Sequence, residues 1–351
     1  MLYAEAIRIL ARLEEVPETE VEALVASKFE YVVTCQTYGQ LRTSADLLDR
    51  WKANSIDELR HRYPNNLRIA YIDHSPDNAY FSVLLGVDPE TREEQVLFKV
   101  KLPGDPIVGE GKPENQNHAI IFTRGEHLQT LDMNQDGYLG EALKLRNLLE
   151  SFKGNIRIVG CREHIFSAAG GALAAFAASS EFVFGTSLQR FMTYPLCVRF
   201  HYGHPDVWDK QWALSNGGVS KASRTLHVSE DVFAGFNCVM RGGHVIYQEF
   251  MHVGKGRDMS FIGVNGFEQK YILELWVERG FVIALWENCK LALSCSWLFF
   301  LFASQTKGYH FASALRQGHA GYIATGRGYV IETGSFVKLY ATFATVGFVT
   351  V

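Results

Sequence analysis

FEYVVTCQTYGQLRTSADLLDRWKANSIDELRHRYPNNLRIAYID, Phe29–Asp73, sets the fold class: an apolar β-branched run, a helical stretch and a second apolar run follow one another. FEYVVTCQTYG reads as a strand ending in a turn, LRTSADLLDRWKANSIDELRHRY as helices, and LRIAYID as a second strand entering a DHSPDN turn. Further on, AYFSVLLGVD and EEQVLFKVKLPG form a hairpin pattern. Strands and helices in this order predict an α/β sheet with an antiparallel addition. Upstream, residues 1–28 read as one or two amphipathic helices broken near Pro17, with an acidic outer face.

The chain of 351 residues has a 47% hydrophobic and 13% aromatic content, enough for an ample core in one large or two ordinary domains. A net charge of -4 and a pI near 6.3 exclude a generally basic nucleic-acid binder, so any cationic site is focal. The six cysteines, Cys35, Cys161, Cys197, Cys238, Cys289 and Cys295, contain no C-x-x-C pair and read as buried free thiols in a reducing compartment. MLYAEAIRILARLEE lacks the apolar core of a signal peptide.

The chemistry-bearing residues concentrate in GEGKPENQNHAIIFTRGEHLQTLDMNQD, Gly109–Asp136. Gly109 and Gly111 allow a tight turn around Lys112, Asn115, Gln116 and Asn117, which supply a charge and amide donors of the kind that phosphates require. Ala119–Phe122 reads as a short buried strand, and LDMNQD puts Asp132 and Asp136 at a strand end or loop. GYLGEALKLRNLLESF reads as one amphipathic helix supporting the Asp132 loop, and GGALAAFAASSEFVFGTSLQRF as a close-packed helix followed by a loop. GKGRD offers Lys255 and Arg257 on a glycine-flexed loop, a pair suited to a diphosphate. SEDVFAGFN offers Glu230 and Asp231, either as a base at a strand end or as acids in a helix first turn capped by Ser229.

Other patterns fail on their own chemistry. Lys112 is followed by Pro113, not by the Ser or Thr of a phosphate-binding P-loop. DMNQDG matches the opening of a calcium EF-hand loop, but the twelfth position, where a bidentate glutamate belongs, is Leu143. His201, His204 and Asp206 lack a third ligand at defined spacing and read as a structural or acceptor-channel loop, so no metal site is assigned. In CREHIF, Arg162 and Glu163 read as a salt-bridged core element or a wall of a sugar site.

GEGKPENQNHAIIFTRGEHLQTLDMNQDGYLGEALKLRNLLE resembles the signature block of callose synthases and fungal 1,3-β-glucan synthases. The resemblance continues through VGCREHIFSAAGGALAAF, SLQRFMTYPLCVRFHYGHPDVWDKQW, GGVSKASRTLHVSEDVFAGFN and QEFMHVGKGRDMSF. It implies a nucleotide-sugar glycosyltransferase-like mixed sheet flanked by helices, and inverting transfer of glucose from UDP-glucose to a growing β-1,3-glucan chain. It implies that Lys112 and Lys255 bind the donor and that Asp132 lies on its sugar or uridine side; by their own chemistry Asn115, Gln116 and Arg257 join the donor-binding set, and Asp231, beside Glu230, is taken as the base. Mg²⁺ assistance stays open, because lysines supply similar charge to a leaving group. The implied setting is the plasma membrane with a cytosolic catalytic domain, with a regulatory small GTPase as an admissible partner.

After Lys270 the composition shifts. YILELWVERGFVIALWENCKLALSCSWLFFLFASQTKGYHF is apolar but carries Glu278, Arg279, Glu287 and Lys290. Its uncharged run, Leu291–Ala303, is shorter than the ~20 residues of a membrane span and reads as re-entrant, interfacial, part of a tilted span, or a buried helix. ELWVERGFVIALWENC and TKGYHFASALRQGHAGYIATGRGYVI resemble a portion of the same family that lies further downstream, with a GNGEQ-type block missing between Lys270 and Tyr271. The expected organisation is an N-terminally truncated glucosyltransferase domain over 1–270 and a membrane-associated segment over 271–351 after an internal deletion. The alternative is a non-catalytic fragment that keeps the donor fold as an assembly or regulatory module.

Overall fold

The computed structural model describes residues 2–77, 79–107, 112–170, 172–194, 205–219, 230–256 and 280–294. The chain divides into two compact units: Met1–Leu128 with Tyr138–Leu149 and Trp208–Ser220, and Gln129–Gly137 with Glu150–Val207 and Lys221–Val351.

In the first unit, α1 (Leu2–Leu13) and α2 (Glu18–Lys28) form a hairpin bent at Pro17, as the sequence predicts. Ala4, Ala11, Val21 and Val25 make its buried seam, and Arg8 to Glu22 and Arg12 to Glu18 ion pairs tie the outer faces. The strand β1 (Tyr31–Thr34) is followed by α3 (Tyr38–Thr43) and α4 (Leu47–Arg62), the latter started by Asp46, whose carboxylate accepts the Leu48 N–H at 2.9 Å. Then come β2 (Leu67–His74), β3 (Tyr80–Val87) and β4 (Glu94–Lys101).

The sheet order is β1-β2-β3-β4, with β1 and β2 parallel and the other pairs antiparallel. This is the expected α/β sheet with an antiparallel addition. Burial follows position: β3, flanked on both sides, is buried from Ser82 to Val87, whereas the edge strand β4 is exposed almost throughout.

Several short elements differ from the sequence expectation. Lys112–Asn117 is a helix, α5, and Ile120–Phe122 is a 3-10 turn, not a strand. A short apolar run carries no period that separates the two, and Thr123 closes this turn by donating to the Ile120 carbonyl at 2.7 Å. The strand β5 (His127–Gln129) and the two-residue β6 (Gln135–Asp136) follow. The stretch read as one amphipathic helix is two, α6 (Leu139–Ala142) and α7 (Leu145–Leu149); α6 packs on α1 within the first unit, while Asp132 belongs to the second.

The second unit is organised on β7 (Ile156–Ile165), a buried run from Ile158 to Cys161. After it come α8 (Ala172–Phe182), a π-helical segment Val183–Leu188 and α9 (Gln189–Thr193), so helix continues where a loop was expected. The remaining elements are β8 (Val207–Asp209), α10 (Lys210–Ser215), α11 (Glu230–Met240), β9 (His244–Lys255) and the helix Phe281–Ser294. In the second sheet, β7 runs parallel to β9 and β9 antiparallel to β6.

Among the described residues no helix is long and apolar enough to cross a membrane, so the expected C-terminal membrane segment gains no support; residues 295–351 lie outside the description. Cys35, Cys161 and Cys238 are buried free thiols as expected, whereas Cys289 is exposed; Cys197 and Cys295 are outside the described residues.

Candidate functional site

Within the first unit, α5 sits against the carboxyl end of β1, the end of a parallel pair at which α/β proteins tend to bind ligands. Asn115 fixes it there: its Nδ2 donates to the Thr34 carbonyl at 3.1 Å and its Oδ1 accepts the Gln36 N–H at 3.0 Å. Gln36 Nε2 donates to the buried Glu114 at 3.1 Å. The amide of Asn115 therefore anchors the backbone that carries Lys112 and Gln116. Lys112 is half-buried at the helix start, beside a buried Pro113 that a first turn tolerates.

His118 follows, pushed down to about 4 by burial and hence neutral near pH 7, with Nδ1 3.0 Å from the Ser82 hydroxyl. At the other end of this stretch, Asn117 Oδ1 accepts the Val219 N–H at 3.1 Å. A Cβ at Gly218 would stand 2.1 Å from that oxygen and φ is +100°, so only glycine fits there.

The second unit gathers the other charged candidates. β9 carries an irregularity against β7: Cys161 pairs with Gln248 and Arg162 with His252, so the register skips over residues 249–251 of β9. Asp206, 1% exposed, accepts the Cys161 N–H at 3.0 Å at this step, and Arg190 grips Glu249 through two nitrogens at 2.6 and 2.5 Å. The Arg190 hydrogen bonds hold the Glu249 carboxyl below the usual carboxylate range, outweighing the upward push of burial. Asp206 thus ties its loop to β7 at this step; His201 and His204 lie outside the described residues.

Beyond the irregularity, β7 and β9 resume pairing as far as Ile165 with Lys255. Lys255 is therefore the last residue of a strand, not part of a flexible glycine loop. Its ammonium is 2.7 Å from Glu163 Oε1 and 3.3 Å from Glu181 Oε1, and each of the three side chains is only 9–10% exposed. β6 pairs Gln135 with Lys255, and Gln135 Nε2 donates to Glu163 Oε1 at 2.9 Å. Gln135 Oε1 accepts the Asp132 N–H at 2.8 Å, which places the Asp132 turn next to the buried ammonium.

The calcium-loop pattern spans a turn at Met133–Asn134 and the two strand residues Gln135–Asp136: Asn134 exchanges hydrogen bonds with Gly256 at 2.8 Å and Asp136 pairs with Gly254. Among the described residues, no three His, Cys, Asp or Glu side chains group to hold a metal ion.

Glu230 and Asp231 open α11, the helix-first-turn placement weighed from the sequence; their side chains, Ser229 and Arg257 lie outside the described residues. Of the sequence-selected residues, Asp132 and Lys255 are thus brought together in the second unit, whereas Lys112, Asn115 and Gln116 belong to the first. Sequence reasoning left Glu163 ambiguous and missed Gln135 and Glu181. The available signal for Glu181 was a lone acid in the otherwise apolar ALAAFAASSEF, since an unaccompanied charge in such a helix requires a buried partner.

A mixed α/β chain with a buried lysine between two carboxylates defines a class only broadly. The comparisons narrow it: the 1,3-beta-glucan synthase component family matches residues 1–273 and 271–351, and the chain belongs to that family. Callose synthase 12 of Arabidopsis thaliana is 36% identical over 429 residues, covering 92% of this chain and 24% of the relative. Putative callose synthase 6 of the same plant is 48% identical over 262 residues, covering 71% of this chain and 14% of the relative. The chain thus spans about a quarter or less of the length of these relatives. The 429-residue alignment exceeds the 351 residues of the chain, so that relative has residues with no counterpart here.

Proposed function

We propose that this chain carries the donor-binding region of a UDP-glucose-dependent 1,3-β-glucan glucosyltransferase, acting with inversion on a growing glucan. The observation that supports this reading is the family match along the chain together with a buried Lys255 beside the Asp132 turn. In the second unit, Lys255 and Arg257 neutralise the donor diphosphate, which needs positive charge as the UDP leaves; in the first, Lys112 is the cation offered to the donor. Gln116 adds an amide donor, Asn115 holds the helix that presents it, and Asp132 faces the sugar or the uridine. Asp231, with Glu230 beside it, takes the proton of the attacking 3-hydroxyl. The lysines supply charge at the leaving group whether or not Mg²⁺ assists. The setting is the cytosolic face of the plasma membrane, with 271–351 as a membrane-associated segment.

Calorimetric titration of the chain with UDP-glucose tests this directly. Saturable binding is expected, weakened about tenfold or more by Lys112→Ala, the effect of losing one charge-assisted hydrogen bond. Unchanged affinity in that variant removes Lys112 from the site.

The second reading, a donor-binding module without turnover, is favoured by the residues that the long alignment leaves without counterpart. Under it, the chain binds UDP-glucose but makes no glucan. We also propose that the break falls between Lys270 and Tyr271, at the edge of the 271–273 stretch that both family matches share. Transcripts amplified across this junction are expected to include a longer form with a GNGEQ-type segment; recovery of the continuous junction alone would establish a reduced protein.

A further inference from the structure

The two carboxylates at Lys255 differ in contact length and in the element that carries them. Glu163 stands on β7, in register with Val253, and its Oε1 accepts both the ammonium at 2.7 Å and Gln135 Nε2 at 2.9 Å. Glu181 makes the longer contact, 3.3 Å, and lies one residue before the end of α8, where the helix passes into π-helical hydrogen bonding. Such π segments are frequent at functional sites, because they interrupt an otherwise uniform ladder. Gly185, within that segment, brings no side chain over the pair: a Cβ there would lie 3.4 Å from Glu163 Oε2 and 3.9 Å from Glu181 Oε1.

A buried ammonium needs a counter-ion before its ligand arrives, and a diphosphate brings more negative charge than a site already holding two carboxylates accommodates. One carboxylate has to give way, and geometry selects the one with the longer contact and no strand behind it. We propose that Gln135 and Glu163 are positioning residues that hold the Lys255 ammonium beside the Asp132 turn, and that Glu181 is an exchangeable counter-ion displaced by a diphosphate oxygen of the donor. This inference rests on the donor-site reading of Lys255.

Removing the charge of Glu181 then eliminates a competitor for the ammonium, whereas removing the Gln135 amide loosens the lysine without changing charge. UDP titrated into the whole 351-residue chain separates these effects. Glu181→Gln is expected to tighten UDP binding and Gln135→Leu to weaken it, each by about tenfold, the scale of one hydrogen bond to a charged group. A merely structural role moves both affinities the same way. Glu181→Asp, which keeps the charge but retracts it, is expected to tighten binding less, and serves if Glu181→Gln fails to fold. UDP binding by the parent chain that Glu181→Gln and Glu181→Asp both leave unchanged or weaken overturns the exchange. Absence of UDP binding by the parent chain overturns the donor-site reading itself, and the exchange with it.

Discussion

Replacing Lys255 with methionine is expected to destabilise the second unit by about 3–5 kcal/mol, the cost of breaking a buried ion pair from one side. The magnitude follows from burial: Glu163 and Glu181 are each only 10% exposed at the side chain, so neither carboxylate regains full solvation once the ammonium is gone. Adding Glu163→Gln and Glu181→Gln to the same variant is expected to restore most of the loss, because a neutral cluster no longer carries uncompensated charge. Urea unfolding of the three proteins reads both steps, with unchanged m-values marking a pure stability effect. A Lys255→Met midpoint within about 1 kcal/mol of the parent, the scale of a surface pair, would show that water reaches these carboxylates. Lys255→Arg is expected to recover little, since a planar fork does not fit an ammonium site closed by Gln135, Glu163 and Glu181.

How far the sequence foretells this arrangement depends on whether a residue's role is local. β1 to β4, α1, α2 and α4 were legible because each carries its own period, cap or turn: Asp46 caps α4, and Pro17 separates α1 from α2, whereas α3 begins at Tyr38, inside the stretch that reads as the turn after β1. Ile120–Phe122 was not, because the same burial suits a strand or a 3-10 turn. Lys255 shows the converse error. Glycines at 254 and 256 suggest a flexible loop, but pairing of Gly254 with Asp136 on one side and His164 on the other holds the backbone extended. In the candidate site, Asp132 and Lys255 were legible through motifs. Their partners were not, because Glu163 and Glu181 lie 92 and 74 residues from Lys255, and only the folded sheet brings them together.

The other large effect is expected in the first unit, at Arg60. This guanidinium, 1% exposed, donates through Nη2 to Asp57 at 2.6 Å and Glu94 at 2.7 Å, and through Nη1 to the Gly86 carbonyl at 3.4 Å. It thereby fastens α4 to both strands of the β3–β4 hairpin. Tyr38 donates its hydroxyl to Asp57 at 2.5 Å, and Arg42 reaches Glu94 at 3.1 Å, so two carboxylates, two guanidiniums and a phenol form one network. Arg60→Met is expected to cost about 3 kcal/mol, the low end for a broken buried pair, because Glu94 and Asp57 keep partial contact with water. The pH dependence carries a sign. Burial pushes the Glu94 carboxyl up, yet the hydrogen bonds and charges of Arg60 and Arg42 outweigh it and hold it below its ordinary value of 4.5. A depressed carboxyl stabilises the fold above that ordinary value and loses the contribution as pH falls through the lowered one. Stability of the parent should therefore fall with acid below about pH 4.5, and fall less steeply in Arg60→Met, where only Arg42 still favours the charged form. Urea midpoints at pH 7 and at steps down to pH 3 measure both effects. Parallel acid profiles for the two proteins would mean that Arg60 anchors the hairpin through packing and its carbonyl contact alone, with Glu94 charged through Arg42.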